Sequence, residues 1–311
     1  MSLGLVLGAG GLVGIAHHVG VLAALEDELG LEEEALDLVV GTSAGSAVAA
    51  YLRSGWTAKV LFERAEALAS AAPGPVASDP LRILRHLIGS GYVLARSTIR
   101  VPSLLSLVPG PGLRRAFPAG LVSMTEGLAL LERELPRSWP ERPLWLAAYD
   151  LVSRRRVVLG RGRAPYLPLP QAVQASCAIP GAFEPVHVGG HVLVDGGAWS
   201  LTNIDLAALA GTDRVICVAP MSYDRDDPPD RGNRAVREVA TRLLERQVSR
   251  LRRQGIEVLL LAPGRKEVAA QGLNLMRGSG LAEVAEVAYA ETRRRLGSRR
   301  SLQSWGLGKA S

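Results

Sequence analysis

Ser43 stands in Gly41-Thr42-Ser43-Ala44-Gly45, between the apolar run Leu38-Val39-Val40 and the alanine-rich stretch Ala47-Val48-Ala49-Ala50. A serine among small residues, entered from an apolar strand and left through a helix, has the layout of a nucleophile elbow, in which a sharp turn exposes the hydroxyl. Gly41 and Gly45 let the helix start close to the strand. The helix N-terminus adds positive dipole ends near the reacting oxygen. The same residues also suit a plain strand–turn–helix joint in which the serine caps the helix. Ser43 therefore needs partners elsewhere in the chain.

One partner is a glycine loop. Leu5-Val6-Leu7-Gly8-Ala9-Gly10-Gly11-Leu12-Val13-Gly14 reads as a strand, a tight turn and a helix start. A dinucleotide fingerprint beginning at Gly8 needs glycine at position 13, where valine stands, and an acidic residue closing the second strand, where Gly41-Thr42-Ser43 stands. The loop better suits an oxyanion hole, with the N–H groups of Gly10, Gly11 and Leu12 aimed at a carbonyl oxygen. One such donor is worth about 3–4 kcal/mol of transition-state stabilisation. In a parallel sheet the loop and the elbow share the carboxyl edge of adjacent strands, where ligands bind.

The other partner is a base. A triad on this kind of sheet runs Ser…Asp/Glu…His, yet the histidines are His17, His18, His86, His187 and His191, none in the last 120 residues. His187 and His191 flank Gly189-Gly190 on an expected hairpin and read as strand ends. Asp195, in Val192-Leu193-Val194-Asp195-Gly196-Gly197, follows an apolar strand and precedes two glycines that leave its carboxylate open. Such a carboxylate can take the serine proton directly. A structural Asp-Gly turn is the competing reading.

The elements that must position these groups alternate short apolar runs with longer helical patterns, as in a parallel sheet with crossover helices. Strands are expected at Leu5–Leu7, Leu38–Val40, Trp145–Ala148, Arg156–Leu159, His191–Val194, Val215–Ala219 and Glu257–Leu261. Helices are expected to begin near Gly14, Gly45, Trp56, Thr125, Leu169, Leu201, Asn233 and Leu281, the first closing at Gly30. A proline-rich apolar insertion at about 69–124 is either a lid, a surface that dips into lipid, or an ordinary irregular excursion. The tail 297–311 is basic and expected to fray. The length allows one large α/β domain or two small ones, and residues 1–296 read as one.

The 311 residues are 48% hydrophobic and 21% charged, which excludes a disordered chain. Net charge is +6, and of the 36 basic residues only Lys59, Lys266 and Lys309 are lysine. An anionic membrane surface is the partner this favours. Nucleic acid is not expected, since aromatics are 5% and no basic stripe is interleaved with them. Cys177 and Cys217 lack metal-ligand spacing and suit a reduced, cytoplasmic protein. With a strand expected from Leu5, no signal peptide is expected, and no apolar run reaches membrane-spanning length.

Four blocks together resemble the patatin-like phospholipase family. They are Gly8–Gly14, Gly41–Gly45, Ala175-Ser176-Cys177-Ala178-Ile179-Pro180-Gly181-Ala182-Phe183-Glu184-Pro185-Val186, and Asp195-Gly196-Gly197 with Asn203 beyond. The resemblance implies a three-layer α/β/α sandwich around a mostly parallel sheet. It implies a Ser43–Asp195 dyad that hydrolyses acyl esters of lipids, of phospholipase A, lysophospholipase or esterase type, with no metal and no cofactor. It makes Gly10–Leu12 the oxyanion hole and Ala147–Leu151 a strand ending in a structural aspartate. Localisation is then cytoplasmic, with peripheral contact at the inner membrane face. Many family members carry arginine or lysine where this chain has Val13. That departure supports an alternative: a weakly active or inactive member that binds lipid or anionic membrane surfaces.

Overall fold

The computed structural model describes residues 1–65, 124–180 and 182–298. The insertion expected at about 69–124 lies outside them, Met124 apart.

Among the described residues, eight strands form one sheet. Strands β1 (Leu3–Leu7), β2 (Leu38–Thr42), β3 (Leu144–Asp150), β7 (Arg214–Val218) and β8 (Glu257–Leu261) run parallel in the order β8-β7-β1-β2-β3. Three antiparallel strands extend this core: β4 (Arg155–Leu159) and β6 (His191–Asp195) both pair with β3, and β5 (Val186–Val188) pairs with β6.

The central strands are near-continuous apolar runs because both faces are covered. Their side chains alternate between two cores. Leu5, Leu7, Val39, Ile216 and Val218 face one; Val6, Leu38, Val40, Val215 and Cys217 face the other. The first is filled by helices α1 (Gly11–Leu29), α2 (Ala44–Arg53), α5 (Leu169–Cys177) and α9 (Leu281–Ser298). The second is filled by α6 (Asp205–Ala210) and α7 (Arg231–Arg253). This is the expected three-layer sandwich. Shorter helices α3 (Ala58–Glu63), α4 (Thr125–Glu134) and α8 (Arg265–Gln271) complete the described α-helices, and short 3-10 turns lie at Glu33–Ala35 and Gly196–Ala198.

Helix α1 is buried from Val13 to Leu25 except at Ile15, which suits a helix clasped between the sheet and α9. Contact with α9 is close enough that a Cβ at Gly20 would lie 2.2 Å from the Ala285 carbonyl oxygen. Gly30, at φ 62°, closes α1 as expected.

Three differences from the expected elements have local causes. Helix α1 starts at Gly11 rather than Gly14, since Gly11 itself takes the left-handed turn at φ 64°. Helix α6 starts at Asp205 rather than Leu201, because Asn203 at φ 52° interrupts the run. The tail does not begin at 297: Gly297 and Ser298 close α9, and the residues beyond lie outside the description. Among the described residues no helix is long and apolar enough to cross a membrane.

Candidate active site

At the carboxyl end of β2, Ser43 adopts φ 53°, ψ −123°, a backbone state that costs a non-glycine residue free energy. The elbow is too tight for side chains on either flank. A Cβ at Gly41 would lie 2.5 Å from Ser46 Cα, and one at Gly45 2.1 Å from the Leu7 carbonyl oxygen. Ser43 N–H donates to Ser176 Oγ (3.1 Å), and Ser176 Oγ–H donates onward to the Ala147 carbonyl (2.7 Å). The Ser43 carbonyl accepts from Ser46 N–H (2.7 Å) and Ser46 Oγ–H (2.6 Å). Although Ser43 occupies the N-cap position of α2, its side chain makes no capping hydrogen bond. Of the two readings of this serine, the capping one is not realised: the hydroxyl is free of the helix.

Asp195 reaches Ser43 through the edge of β3. Along that edge β2 pairs first, ending with Thr42 opposite Ala147; β6 then arrives antiparallel and ends with Asp195 opposite the next residue, Ala148. Strand β4 pairs across both stretches and so lies on the other edge. The carboxyl ends of β2 and β6 therefore meet head to head, one residue step apart on a shared strand. Asp195 is buried, its N–H donates to the Ala178 carbonyl (2.9 Å), and its Oδ1 accepts from Gly197 N–H (2.7 Å). Burial pushes its carboxyl up to about 6, against the opposing pull of the Ser43 side chain and the Gly197 N–H. The turn reading of Asp195-Gly196-Gly197 holds, but the carboxylate is not exposed as expected: the chain packs around it and leaves Asp195 only 4% accessible. A Cβ at Gly196 would meet the Ala147 carbonyl at 2.3 Å.

The glycine loop closes β1 on the neighbouring strand. Gly8 N–H donates to Val218 O (3.0 Å), Ala9 N–H to Leu201 O (2.7 Å), Val13 N–H to Leu275 O (3.1 Å) and Gly14 N–H to Gly10 O (2.8 Å). Among the described residues nothing accepts from the N–H groups of Gly10, Gly11 and Leu12, the three expected to form the oxyanion hole. Nor does anything accept from Ala44 N–H, directly after the serine, a donor position that such elbows use. Ala44 packs beside the loop, its Cβ 3.3 Å from where a Cβ on Gly14 would be. The Gly8 carbonyl stitches loop to elbow by accepting from Gly45 N–H (3.2 Å) and His18 Nε2–H (2.7 Å). His18 is held neutral: burial lowers it to about 3.

A buried amide ties the two strand ends together. Asn203 Nδ2 donates to Thr42 Oγ1 (3.1 Å) and to the Ser200 carbonyl (2.7 Å), while its Oδ1 accepts from Arg156 Nη1 (3.1 Å). Arg156 is itself fixed by a two-pronged pair with Asp205 at 2.7 Å on each arm.

The other histidines stand apart from this group. His191 Nδ1 pairs with Asp150 at 2.9 Å, and His191 begins the strand that Asp195 ends. His187 lies exposed on β5, His17 is buried against Glu267, and His86 is outside the described residues. Asp150, the aspartate expected to be structural, accepts from the N–H groups of Val152, Ser153 and Val192; despite burial, the Ser153 side chain, His191 and the Val192 and Val152 N–H groups hold its carboxyl below the usual range. Cys177 presents part of its surface to solvent, but its thiol is enclosed. That enclosure and the Asp195 charge push it up to about 12, so it stays protonated.

Ser176, Ala44, His18 and Leu275 were not singled out from the sequence. Ser176 lies inside the third quoted block, so its signal was present as a motif without a role. Leu275 contributes only a carbonyl, which any residue supplies.

A strand–serine–helix elbow beside a glycine loop, at the carboxyl edge of a mostly parallel sheet, defines an α/β hydrolase fold of patatin type. The chain belongs to the patatin-like phospholipase family, whose sequence profile matches residues 5–208. An NTE family protein of Mycobacterium tuberculosis, described as uncharacterized, is 32% identical over 219 residues, 70% of this chain and 30% of that protein. Another from the same organism is 28% identical over 217 residues, 69% of this chain and 47% of that protein. The chain thus spans less than half the length of these curated relatives. Among solved structures, VipD from Legionella pneumophila aligns over 96% of this chain and 66% of its own, at 15% identity and TM-score 0.42. Human GIVD cytosolic phospholipase A2 aligns over 97% and 59%, at 11% identity and TM-score 0.40.

Proposed function

We propose that this chain hydrolyses fatty-acyl esters of lipids through Ser43 and Asp195. Family membership supports lipid acyl hydrolysis in general. The observation that carries the finer reading is the uncapped Ser43 hydroxyl beside a buried carboxylate that titrates near neutrality. A base is most effective when its pKa lies near the working pH.

In the first step Ser43 Oγ attacks the ester carbonyl carbon while Asp195 takes the hydroxyl proton. The carbonyl oxygen becomes an oxyanion and receives hydrogen bonds from Gly10, Gly11, Leu12 and Ala44 N–H, at the N-termini of α1 and α2. Collapse breaks the ester bond; the departing alkoxide takes the proton back from Asp195, leaving an acyl-Ser43 ester. Water then attacks that ester with Asp195 accepting its proton. The second collapse restores Ser43 and releases the fatty acid. The strained elbow and the ties through Ser176 and Asn203 hold this geometry before substrate arrives, so reorganisation is not left to the reaction itself.

The test is labelling by a serine-directed fluorophosphonate, with a panel of p-nitrophenyl acyl esters. Wild type labels at Ser43 and turns over; Ser43→Ala does neither. Full esterase activity in Ser43→Ala would end this reading. A second reading keeps the fold without turnover and makes the chain a lipid-surface binder. It is favoured by Val13, a fully buried side chain where many family members place a cation. A null result with the probe and retained vesicle flotation would select it.

A further inference from the structure

The hairpin between β3 and β4 carries groups that neither the fold nor the dyad uses. Strand β3 passes the end of β2: Thr42 faces Ala147, and β3 continues through Ala148, Tyr149 and Asp150. At about 3.3 Å per residue this takes β3 about 10 Å beyond the elbow strand at the same carboxyl edge. There the chain turns through Leu151, Val152, Ser153 and Arg154 into β4.

The turn is held by main-chain groups, the buried Asp150 carboxylate and the Ser153 side chain, with no part for Leu151, Val152, Arg154 or Arg155 side chains. The Asp150 carboxylate accepts from Val152 and Ser153 N–H at 3.0 and 3.1 Å, and the Asp150 carbonyl accepts from Arg154 N–H at 2.8 Å. Leu151 N–H donates to the Val192 carbonyl at 2.9 Å. Of the tip side chains only Ser153 bonds to the turn, through Asp150, and all are exposed: Leu151 is 38% and Val152 48% accessible, with Ser153, Arg154 and Arg155 open to solvent beside them. Among the described residues neither Arg154 nor Arg155 has an acidic partner; the nearest carboxylate in sequence, Asp150, is buried and already committed. Arg154 sits at φ 57°, where glycine or asparagine would fit at lower cost. An arginine held in a glycine's backbone state, next to two solvent-facing aliphatic residues, is hard to explain by folding.

We infer that this tip docks on an anionic phospholipid bilayer, Leu151 and Val152 entering the headgroup–acyl boundary while Arg154 and Arg155 bind lipid phosphates. Aliphatic residues beside guanidinium groups are the composition that a negatively charged interface selects, and guanidinium matches phosphate with paired donors. Half-exposed Trp199, stacked on Tyr149 with Arg156 over its ring, extends the same edge. Docking there presents the carboxyl edge, where Ser43 and the glycine loop lie, to the lipid. The inference rests on the proposed lipid substrate only for its benefit to turnover; the binding itself is independent of the dyad.

Vesicle flotation tests it, using phosphatidylcholine alone or mixed in equal parts with phosphatidylglycerol. Wild type and Ser43→Ala float with the mixed vesicles and far less with phosphatidylcholine, and added salt weakens the binding. In Arg154→Gly/Arg155→Gln the glycine accepts the turn without strain, so melting does not fall, while partition to mixed vesicles falls about 30-fold, about fivefold per arginine. Leu151→Ser/Val152→Ser also binds less. Both double variants hydrolyse a short-chain p-nitrophenyl ester like wild type but lose activity on vesicle lipid. Wild type failing to float, equal binding to both vesicle types, or an arginine double variant that floats like wild type would each overturn the inference. Loss of hydrolysis with intact flotation would instead count against the dyad.

Discussion

Replacing Ser43 by glycine and by alanine separates the chemistry of this residue from the strain of its backbone. Both variants lose the hydroxyl, so both lose turnover. They differ in that alanine keeps a Cβ at φ 53°, ψ −123°, whereas glycine adopts that state freely. Strain of this kind is worth roughly 1–3 kcal/mol. Against it, glycine gives back roughly 0.5–1 kcal/mol through the greater freedom of its unfolded chain. Ser43→Gly is therefore expected to be the more stable variant, by up to roughly 2.5 kcal/mol. For a chain of 311 residues 1 kcal/mol moves Tm by about 1.5 °C. Scanning calorimetry of the two variants in one buffer should show glycine melting a few degrees above alanine. Urea titrations should give equal slopes and a higher midpoint for glycine. Should alanine melt at or above glycine, the elbow stores no strain and the argument from its backbone fails.

Other expectations follow from the same geometry. With Asp195 at about 6, the ionised fraction rises from about 0.1 at pH 5 to about 0.9 at pH 7, so kcat/KM should climb close to tenfold and then level; a flat profile over that range would remove Asp195 as the base. Stability should move the other way. A carboxyl raised above its unfolded value favours folding in full below about pH 4 and loses that contribution as pH rises through about 6, a shift worth roughly 3 kcal/mol. Urea titrations of Asp195→Asn between pH 4 and 7 should show a smaller decline than wild type. Gly45→Ala drives a methyl into the Leu7 carbonyl and should cost about 100-fold or more in kcat through displacement of the elbow, read alongside circular dichroism to confirm folding. Ser176→Ala strips the Ser43 N–H and Ala147 carbonyl of their buried partner, worth roughly 1–3 kcal/mol; kcat should fall with KM little changed, and an unaltered kcat would deny Ser176 any positioning role.

Much of this site was legible because tight backbone contacts demand small residues. Gly41, Gly45 and Gly196 each lie within 2.5 Å of a clash that any side chain would make, so their identities mark the turns directly. The central strands were legible because burial on both faces leaves uninterrupted aliphatic runs. What stayed hidden depends on contacts between distant segments. The meeting of β2 and β6 on one edge of β3 is a matter of register, and the tie through Ser176 joins residues 133 positions apart. Helix α8, with seven residues, is too short for its periodicity to stand out. The start of α6 was misplaced because Leu201-Thr202-Asn203 reads like a helix entry, although Asn203 spends its amide on Thr42 and Ser200 instead.

The anchoring of the glycine loop sets the size of the smallest piece that can be moved into another protein. All the recognisable motifs end by Asn203, and the family profile ends at 208, yet Gly8 is held by Val218 and Val13 by Leu275. A gene segment cut at the profile boundary would carry every signature residue and still leave the loop's outer strand bare and one of its amides unclaimed. Its motifs would be complete while the support of its glycine loop was not. Grafts and fusions should therefore extend past Leu275.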